Sequence, residues 1–344
     1  MNELIRRGEH DPVRRPPRLR PGDHVRVVSP SWGGGDVFPR RFARGIANVR
    51  GEFGLRAEAA DRRTNSMEWR SGTRRERAQE FNNALRDEGV AGVLWAVGGY
   101  AATHILDLLD YDAFRRSPKV ICGYSDATVL HHALYAVSGC VTFYGPAVLT
   151  QMGECPAPHP FTVNEFKRVV MEAGHGLFPR CEDLIEEYVD WALDSTQPRR
   201  VDTAPPREAL RGGTSAGPLL AGCLPSALQL LGTPWQPDYR DHVLVLEFPD
   251  VDYGPAQADK DLWQLRHAGL LDGIAALVVG RPRLWKAHAR EQLRVILGEV
   301  LEGTSYPVVT EFETGHTDPM LTLPIGVPVE VSGTDVTLLE PAVF

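Results

Sequence analysis

A serine lies directly after a short apolar stretch, about a third of the way along the chain, at a place where a helix is predicted to begin. Ser125 lies in the sequence Gly-Tyr-Ser-Asp, between a predicted strand over 119–122 and a predicted helix over 126–137. Its hydroxyl would then lie beside the unpaired N–H groups and the positive end of the helix dipole. This arrangement is typical of a nucleophile elbow, although Ala127 replaces the second glycine. The alternative is that Ser125 or Asp126 only caps the helix.

A pair of glycines follows the neighbouring predicted strand at the same edge of the sheet. Gly98, Gly99 and Tyr100 come directly after the apolar run 92–97. Glycine allows a close approach of the backbone, so the N–H of Gly99 could join that of Asp126 in an oxyanion hole. A tight turn between strand and helix would need the same glycines, and the sequence leaves both interpretations open.

Two further side chains could complete a nucleophilic site. Glu247 ends the apolar run 243–248, and a carboxylate at the end of a buried strand needs a partner. His316 lies in the sequence Gly-His-Thr-Asp-Pro, just before the last predicted strands. A serine nucleophile needs a base to accept its proton, and the base needs an acceptor to fix its tautomer. Ser125, His316 and Glu247 supply these three roles, although each residue alone could be incidental.

Composition and charge exclude several classes of function. The chain has 344 residues, is 43% hydrophobic and 24% charged, and carries a formal charge of −8 from 37 basic and 45 acidic residues. An acidic balance disfavours a nucleic-acid role, because phosphate binding needs a basic face. No apolar run reaches the roughly 18 residues that a membrane span requires, and no signal peptide is recognisable.

The cysteines indicate a reducing compartment. They are odd in number, scattered and without CxxC spacing, which predicts free thiols in a cytoplasmic protein rather than disulfides or a zinc site. A metal site on the adjacent histidines His131 and His132 is not expected either, because no HExxH motif surrounds them. The cysteines are Cys122, Cys140, Cys155, Cys181 and Cys223.

The order of predicted elements indicates an α/β fold with two domains. Apolar strands alternate with amphipathic helices in the first half, which predicts a doubly wound parallel sheet with ligands at the carboxyl ends of its strands. The last third predicts a mixed, β-rich domain. We therefore predict a flexible leader over 1–20, an α/β nucleophile domain over 21–160, a linker with a long substrate loop over 161–215, and a β-rich domain over 216–344 that carries Glu247.

Four motifs and their order resemble the LD-carboxypeptidase family of serine peptidases, and within it the branch of the microcin C immunity proteins. They are Gly-Gly-Tyr at 98–100, Gly-Tyr-Ser-Asp at 123–126, Leu-Gly-Thr-Pro at 231–234 and Gly-His-Thr-Asp-Pro at 315–319. The resemblance implies an N-terminal domain with the nucleophile and a C-terminal domain with the glutamate and the histidine. It further implies a homodimer and no metal or organic cofactor.

The same resemblance implies the roles of the site residues. Ser125 would attack the carbonyl, His316 would shuttle the proton, Glu247 would orient the imidazole, and the N–H groups of Gly99 and Asp126 would bind the oxyanion. The expected reaction is cleavage of an amide bond near a free carboxylate in a small peptide or peptidyl-nucleotide. An LD-carboxypeptidase that releases terminal D-Ala from muropeptides is the alternative. An inactive binding protein on the same fold is a further alternative.

The substrate contacts are expected around the glycine turn and the acidic stretch near 186–191. In the immunity-protein branch such an inserted loop stacks an aromatic ring on the nucleobase, and Trp191 is the candidate, although it could equally anchor the loop. Gly98 and Tyr100 are further candidates. Arg281 is a candidate for the substrate carboxylate, with Arg211 as the alternative.

Overall fold

The computed structural model describes residues 12–59, 67–193, 197–250 and 252–344. The helices are α1 (Gly34–Val37), α2 (Pro39–Phe53), α3 (Arg74–Arg86), α4 (Tyr111–Arg116), α5 (Ala127–Ser138), α6 (Pro160–Val170), α7 (Leu224–Leu228), α8 (Pro255–His267) and α9 (Ala287–Val300), with 3-10 turns at Ala102–Leu108 and Trp191–Leu193. The strands are β1 (His24–Val28), β2 (Arg56–Ala59), β3 (Gly92–Trp95), β4 (Val120–Gly123), β5 (Thr142–Tyr144), β6 (Gly176–Leu177), β7 (Asp183–Leu184), β8 (Asp202–Thr203), β9 (Glu208–Arg211), β10 (Thr214–Cys223), β11 (Val243–Glu247), β12 (Ala276–Gly280), β13 (Val308–Phe312), β14 (Leu323–Ile325), β15 (Pro328–Ser332) and β16 (Asp335–Leu338).

The first sheet carries the predicted nucleophile. Its strand order is β14-β5-β4-β3-β1-β2. The strands β2, β1, β3, β4 and β5 run parallel, whereas β14 pairs antiparallel with β5. Strands β3 and β4 are buried throughout, as expected for parallel strands covered by helices on both faces.

The second sheet carries the predicted carboxylate. Its order is β6-β16-β15-β10-β11-β12-β13-β9, with a parallel centre from β10 to β13 and antiparallel strands on both sides. The central strand β11 is apolar and fully buried, and it ends at Glu247. This mixed, strand-rich sheet and the parallel sheet before it confirm the predicted fold class.

Helix α5 joins the two sheets directly behind the site. Thr128 in its first turn accepts a hydrogen bond from the N–H of Cys223 at 2.9 Å, and His132 one turn later contacts the carbonyl of Ala221 at 3.0 Å. Gly222 leaves room for this contact, because a Cβ there would lie 2.5 Å from the Thr128 side chain. The end of β10 is therefore held against the helix that follows Ser125.

The predicted leader over 1–20 and the predicted linker over 161–215 both contain ordered contacts or elements. The leader predicted over 1–20 falls partly on 1–11, which lie outside the described residues, while its remainder is hydrogen-bonded to the fold. The Arg18 N–H donates to the carbonyl of Phe344 at 2.9 Å, and the Leu19 N–H donates to that of Val170 at 2.8 Å, with Leu19 buried. The stretch 161–215, predicted as a linker, contains most of helix α6 and the short strands β6 to β9.

Candidate active site

The backbone of Ser125 adopts a strained, left-handed conformation between β4 and α5. Its φ is +63°, a region that residues with a Cβ seldom occupy. The side chain of Asp126 makes no capping hydrogen bond to the first turn of α5. Its carboxylate instead accepts hydrogen bonds from the Ser31 hydroxyl at 2.5 Å and from the N–H of Ala102 at 2.9 Å. The aspartate therefore ties the loop after β1 to the turn after β3.

The structure brings the three predicted chemical side chains into contact. The Nε2 atom of His316 lies 3.0 Å from the Ser125 hydroxyl oxygen, and its Nδ1 atom lies 2.8 Å from Glu247 Oε2. Glu247 is buried at the end of β11, and His316 lies in the loop between β13 and β14. A neutral imidazole in this position donates from Nδ1 to the carboxylate and accepts the serine proton at Nε2.

The glycine turn after β3 lies against the serine. A Cβ on Gly98 would lie 2.9 Å from the Ser125 hydroxyl oxygen and 3.4 Å from the Asp126 nitrogen. Gly99 has a φ of +140°, and a Cβ there would lie 2.5 Å from the Ser31 hydroxyl oxygen. The close approach and the positive φ therefore require glycine. The backbone of Gly98 therefore lies beside the Ser125 side chain and the backbone nitrogen of Asp126.

Glu247 sets the protonation of His316. Burial of the imidazole would lower its pKa, but the charge of Glu247 and its hydrogen bond to Nδ1 together raise the pKa of His316 above 6.5. Two other charges act on the ring through space, since Asp250 raises the pKa and Arg283 lowers it. The ring of Tyr124 packs edge-on against the imidazole at 5.0 Å between centroids.

One group of possible metal ligands occurs among the described residues, and it overlaps the site. Donor atoms of Cys223, Glu247 and His316 lie within 4.8 Å of one another. The imidazole and the carboxylate are already joined through Nδ1 and Oε2. Burial and the charge of Glu247 also raise the pKa of the Cys223 thiol well above its ordinary value, and a protonated thiol is a poor ligand. The donor set therefore fits a hydrogen-bonded cluster better than a metal site.

The residues expected to contact substrate occupy different surroundings. Tyr100 is exposed beside the glycine turn. Trp191 is half-buried, with its ring centroid 5.5 Å from that of Phe38 in an edge-on contact and 4.7 Å from the guanidinium of Arg41. Because Phe38 directly precedes α2 and Arg41 lies in it, Trp191 anchors its loop to the start of this helix. Arg281 is almost fully buried.

Internal partners hold both arginines that the sequence offered for the substrate carboxylate. The Nη2 atom of Arg281 lies 3.1 Å from Glu313 and donates to the carbonyl of Cys181 at 2.8 Å. Arg211 donates to the Thr304 hydroxyl at 2.8 Å, close to the end of α9. A basic residue is often buried as the partner of an acidic one, and sequence alone does not reveal such a pairing.

Sequence reasoning missed Tyr144, whose hydroxyl contacts two of the site residues. It donates to Glu247 Oε1 at 2.6 Å and accepts from the N–H of Ser125 at 3.0 Å. One signal was available, because Tyr144 ends the strand beside the one before Ser125, and the ends of parallel strands meet at one edge of a sheet.

Comparison with protein families identifies both halves of the chain. Residues 25–145 match the LD-carboxypeptidase N-terminal domain, and residues 216–331 match the LD-carboxypeptidase C-terminal domain. Both matched regions are thus peptidase domains. The chain belongs to the LD-carboxypeptidase family.

Individual relatives extend over nearly the whole chain. The microcin C7 self-immunity protein MccF of Escherichia coli is 30% identical over 91% of this chain and 91% of its own length. A Bacillus subtilis protein named as a murein peptide carboxypeptidase is 28% identical over 95% of this chain and 94% of its own length. The solved structure of MccF in complex with glutamyl sulfamoyl guanosine superimposes with a TM-score of 0.88 at 27% identity, covering 96% of this chain and 99% of that one.

Proposed function

We propose that this protein is a serine hydrolase in which Ser125 is the nucleophile. The observation that carries the proposal is the continuous contact from the Ser125 hydroxyl through the imidazole of His316 to Glu247, at 3.0 and 2.8 Å. His316 accepts the serine proton as the hydroxyl attacks the substrate carbonyl, and then donates it to the leaving amine. Glu247 stabilises the imidazolium that forms between these steps. The N–H groups of Gly99 and Asp126 bind the oxyanion.

We propose that the substrate carries an amide bond near a free carboxylate, in a small peptide or a peptidyl-nucleotide. Two solved structures of one relative support this class, since they show MccF in complex with glutamyl sulfamoyl guanosine and with aspartyl sulfamoyl adenosine. The relative named as a murein peptide carboxypeptidase supports the second candidate, release of terminal D-Ala from muropeptides. Stacking of Trp191 on the nucleobase is part of this proposal, and the same ring contacts Phe38 and Arg41. An inactive binding protein would not need the three aligned side chains.

The proposal also covers the compartment, the oligomeric state and the domains of the enzyme. We propose a cytoplasmic homodimer, with an α/β nucleophile domain over 21–160, a connecting stretch over 161–215 and a β-rich domain over 216–344. Free cysteines among the described residues agree with a reducing compartment. None of the described helices has the length and apolar character to traverse a lipid bilayer. Sedimentation or light scattering of the purified chain tests the dimer.

Labelling with a fluorophosphonate probe tests the nucleophile. We expect the probe to label the wild type at Ser125 and to leave Ser125→Ala unlabelled, as read by mass spectrometry of the modified peptide. Ser138→Ala is the matched control, because that hydroxyl only donates to the carbonyl of Tyr111 from the end of α5, and it should label normally. Equal labelling of the wild type and Ser125→Ala would rule out the proposed nucleophile.

Incubation with two substrates separates the candidate reactions. One is an aminoacyl sulfamoyl adenosine, and the other is a tetrapeptide muropeptide that ends in D-Ala. We expect chromatography to show a free amino acid and a sulfamoyl nucleoside from the first. Release of D-Ala from the second with no reaction of the first would assign the muropeptide reaction instead.

A further inference from the structure

The hydroxyl of Tyr144 closes a ring of hydrogen bonds around the proposed site. It accepts from the Ser125 N–H at 3.0 Å and donates to Glu247 Oε1 at 2.6 Å. Glu247 Oε2 contacts His316 Nδ1, and His316 Nε2 contacts the Ser125 hydroxyl. Starting at the Ser125 nitrogen, the ring returns to the side chain of the same serine. Each of its four members therefore restrains its two neighbours.

The carboxylate of Glu247 needs the tyrosine because it is buried. One of its oxygens is occupied by His316, and the other would lack a strong partner without a donor from the first sheet. Burial, reinforced by the charge of Glu247, raises the pKa of Tyr144 well above its ordinary value, so the hydroxyl keeps its proton and acts as donor. Tyr144 lies in β5 and Glu247 in β11, so this bond connects the two sheets.

The backbone of Ser125 needs the tyrosine because it is strained. A φ of +63° is costly for a serine and persists only where surrounding groups hold it. The hydroxyl of Tyr144 accepts the N–H of this residue and so fixes the peptide that directs the serine hydroxyl toward His316. The same bond occupies the Ser125 N–H, which leaves the oxyanion to the N–H groups of Gly99 and Asp126.

We propose that Tyr144 is a positioning residue of this site. The inference rests on the proposed serine hydrolase function. Its hydroxyl holds the backbone of Ser125 and the carboxylate of Glu247 in place relative to each other across the two sheets. The aromatic ring is packed separately, with its centroid 6.4 Å from Tyr124 and 6.3 Å from His131. Replacement of Tyr144 by phenylalanine therefore removes the hydroxyl and keeps the ring.

The rate of fluorophosphonate labelling, measured from pH 5 to 9, tests the inference on Tyr144→Phe. We expect the plateau rate constant to fall by about ten- to a hundredfold, as is usual when a group that orients a reactive residue loses its hydrogen bond. We also expect the acid limb of the labelling profile, the pH range over which the rate falls as the solution becomes more acidic, to move to higher pH. The carboxylate without its tyrosine donor attracts the imidazolium of His316 more strongly, so His316 loses its proton at higher pH.

Tyr111→Phe is the matched control. Its hydroxyl is also buried and donates at 2.8 Å to the carbonyl of Leu106, which is not a member of the hydrogen-bond ring of the site. We expect this variant to keep the wild-type rate constant and acid limb. If Tyr144→Phe behaves like Tyr111→Phe while the wild type labels at Ser125, the inference is overturned and the proposed function stands. If the wild type does not label at Ser125, the proposed function itself fails.

Discussion

At the scale of single residues, the site combines strain with electrostatic control. Ser125 is held in the left-handed region at a cost of about 1–2 kcal/mol, which only a well-determined surrounding structure supports. The pKa of His316 is raised although its imidazole is partly buried, because Glu247 favours the protonated imidazole more than burial disfavours it. Each feature serves the same end: the serine hydroxyl faces a basic nitrogen whose conjugate acid is stabilised.

The pH dependence of turnover follows from the raised pKa of His316. The base must be unprotonated to accept the serine proton, so activity falls as pH drops through this pKa. We expect the acid limb of kcat/KM to lie above pH 6.5, the ordinary value for histidine. Steady-state kinetics between pH 5 and 9 measure it. A limb at or below 6.5 would contradict the prediction.

Asp250→Asn tests more specifically whether the acid limb reports the pKa of His316. Besides Glu247, the charged groups that act on His316 are Asp250, which raises its pKa, and Arg283, which lowers it. Loss of the Asp250 charge should move the acid limb to lower pH and leave the plateau of kcat/KM nearly unchanged. Arg283→Gln should move the limb the opposite way. Asp250 and Arg283 also form an ion pair with each other. Shifts of the acid limb in the same direction for both variants would therefore show that this ion pair acts by changing the shape of the site.

At the scale of elements, one arginine connects the stretch around Trp191 to the loop that carries the histidine. The Nε atom of Arg199 lies 2.6 Å from Glu154 Oε2, and its Nη2 atom contacts Asp318, two residues beyond His316. The N–H of Ile185 also donates to the carbonyl of Asp318 at 2.7 Å. Within the described stretches 183–193 and 197–203, these contacts lead to the residues after β5 on one side and to the loop that carries His316 on the other.

Removal of this connection should affect both stability and turnover. Arg199→Met leaves the buried carboxylates of Asp318 and Glu154 without their shared cation, so we expect the free energy of unfolding to fall by about 2–3 kcal/mol. We expect kcat to fall as well, because the loop with His316 loses a restraint. Urea denaturation and steady-state kinetics measure the two effects.

Arg200→Met is the control for that comparison. Arg200 is the next residue, is largely exposed and pairs with the exposed Asp202. An exposed pair is screened by solvent, so this variant should change neither stability nor kcat appreciably. Equal behaviour of Arg199→Met and Arg200→Met would mean that the contacts of Arg199 do not hold the stretch in place.

The sequence predicted elements well where a local pattern defines them. Apolar strands such as β4 and β11, and the elbow that begins at Ser125, were predicted because burial on both faces of a parallel sheet leaves a clear local pattern. Helix α6 was absorbed into a predicted linker, since prolines and acidic residues around it obscured its periodicity. The buried partners of Arg281 and the hydroxyl of Tyr144 were not foreseen, because these contacts join residues far apart in the chain.

At the scale of the whole molecule, the first sheet contains a strand from the C-terminal part of the chain. Strand β14, from the proposed C-terminal domain, pairs antiparallel with β5 of the first sheet, with Leu323 opposite Tyr144. The loop with His316 leads directly into this strand, so the pairing fixes one end of the loop beside the nucleophile. A three-residue strand carries too little sequence pattern to predict its partner in the other domain. A division by chain order alone therefore places β14 in the proposed C-terminal domain, whereas in the structure it pairs in the first sheet.

Two histidines buried behind the site tie the stability of the whole molecule to pH. His131 and His132 lie on α5 and contact the carbonyls of Gly123 and Ala221, which belong to the two different sheets. Burial lowers the pKa of His131 to about 3 and that of His132 to about 4. Both rings are therefore neutral in the folded protein at pH 5, whereas in the unfolded chain they titrate near the ordinary 6.5 and are protonated at that pH.

The sign of the resulting effect is fixed by which state binds more protons. Below pH 6.5 the unfolded chain takes up protons that the fold excludes, so stability is lost as pH falls, by about 2 kcal/mol for each histidine between pH 7 and 5. The pKa of His316 is raised, so the stability that it contributes grows as pH falls toward 6.5 and is fully present below that value. It therefore offsets the loss above pH 6.5 but not below it. We expect urea denaturation from pH 7 to 5 to show the decline. His132→Gln, which can still donate to Ala221, should reduce the slope by about one proton, and an unchanged slope would mean that His132 is already protonated in the fold.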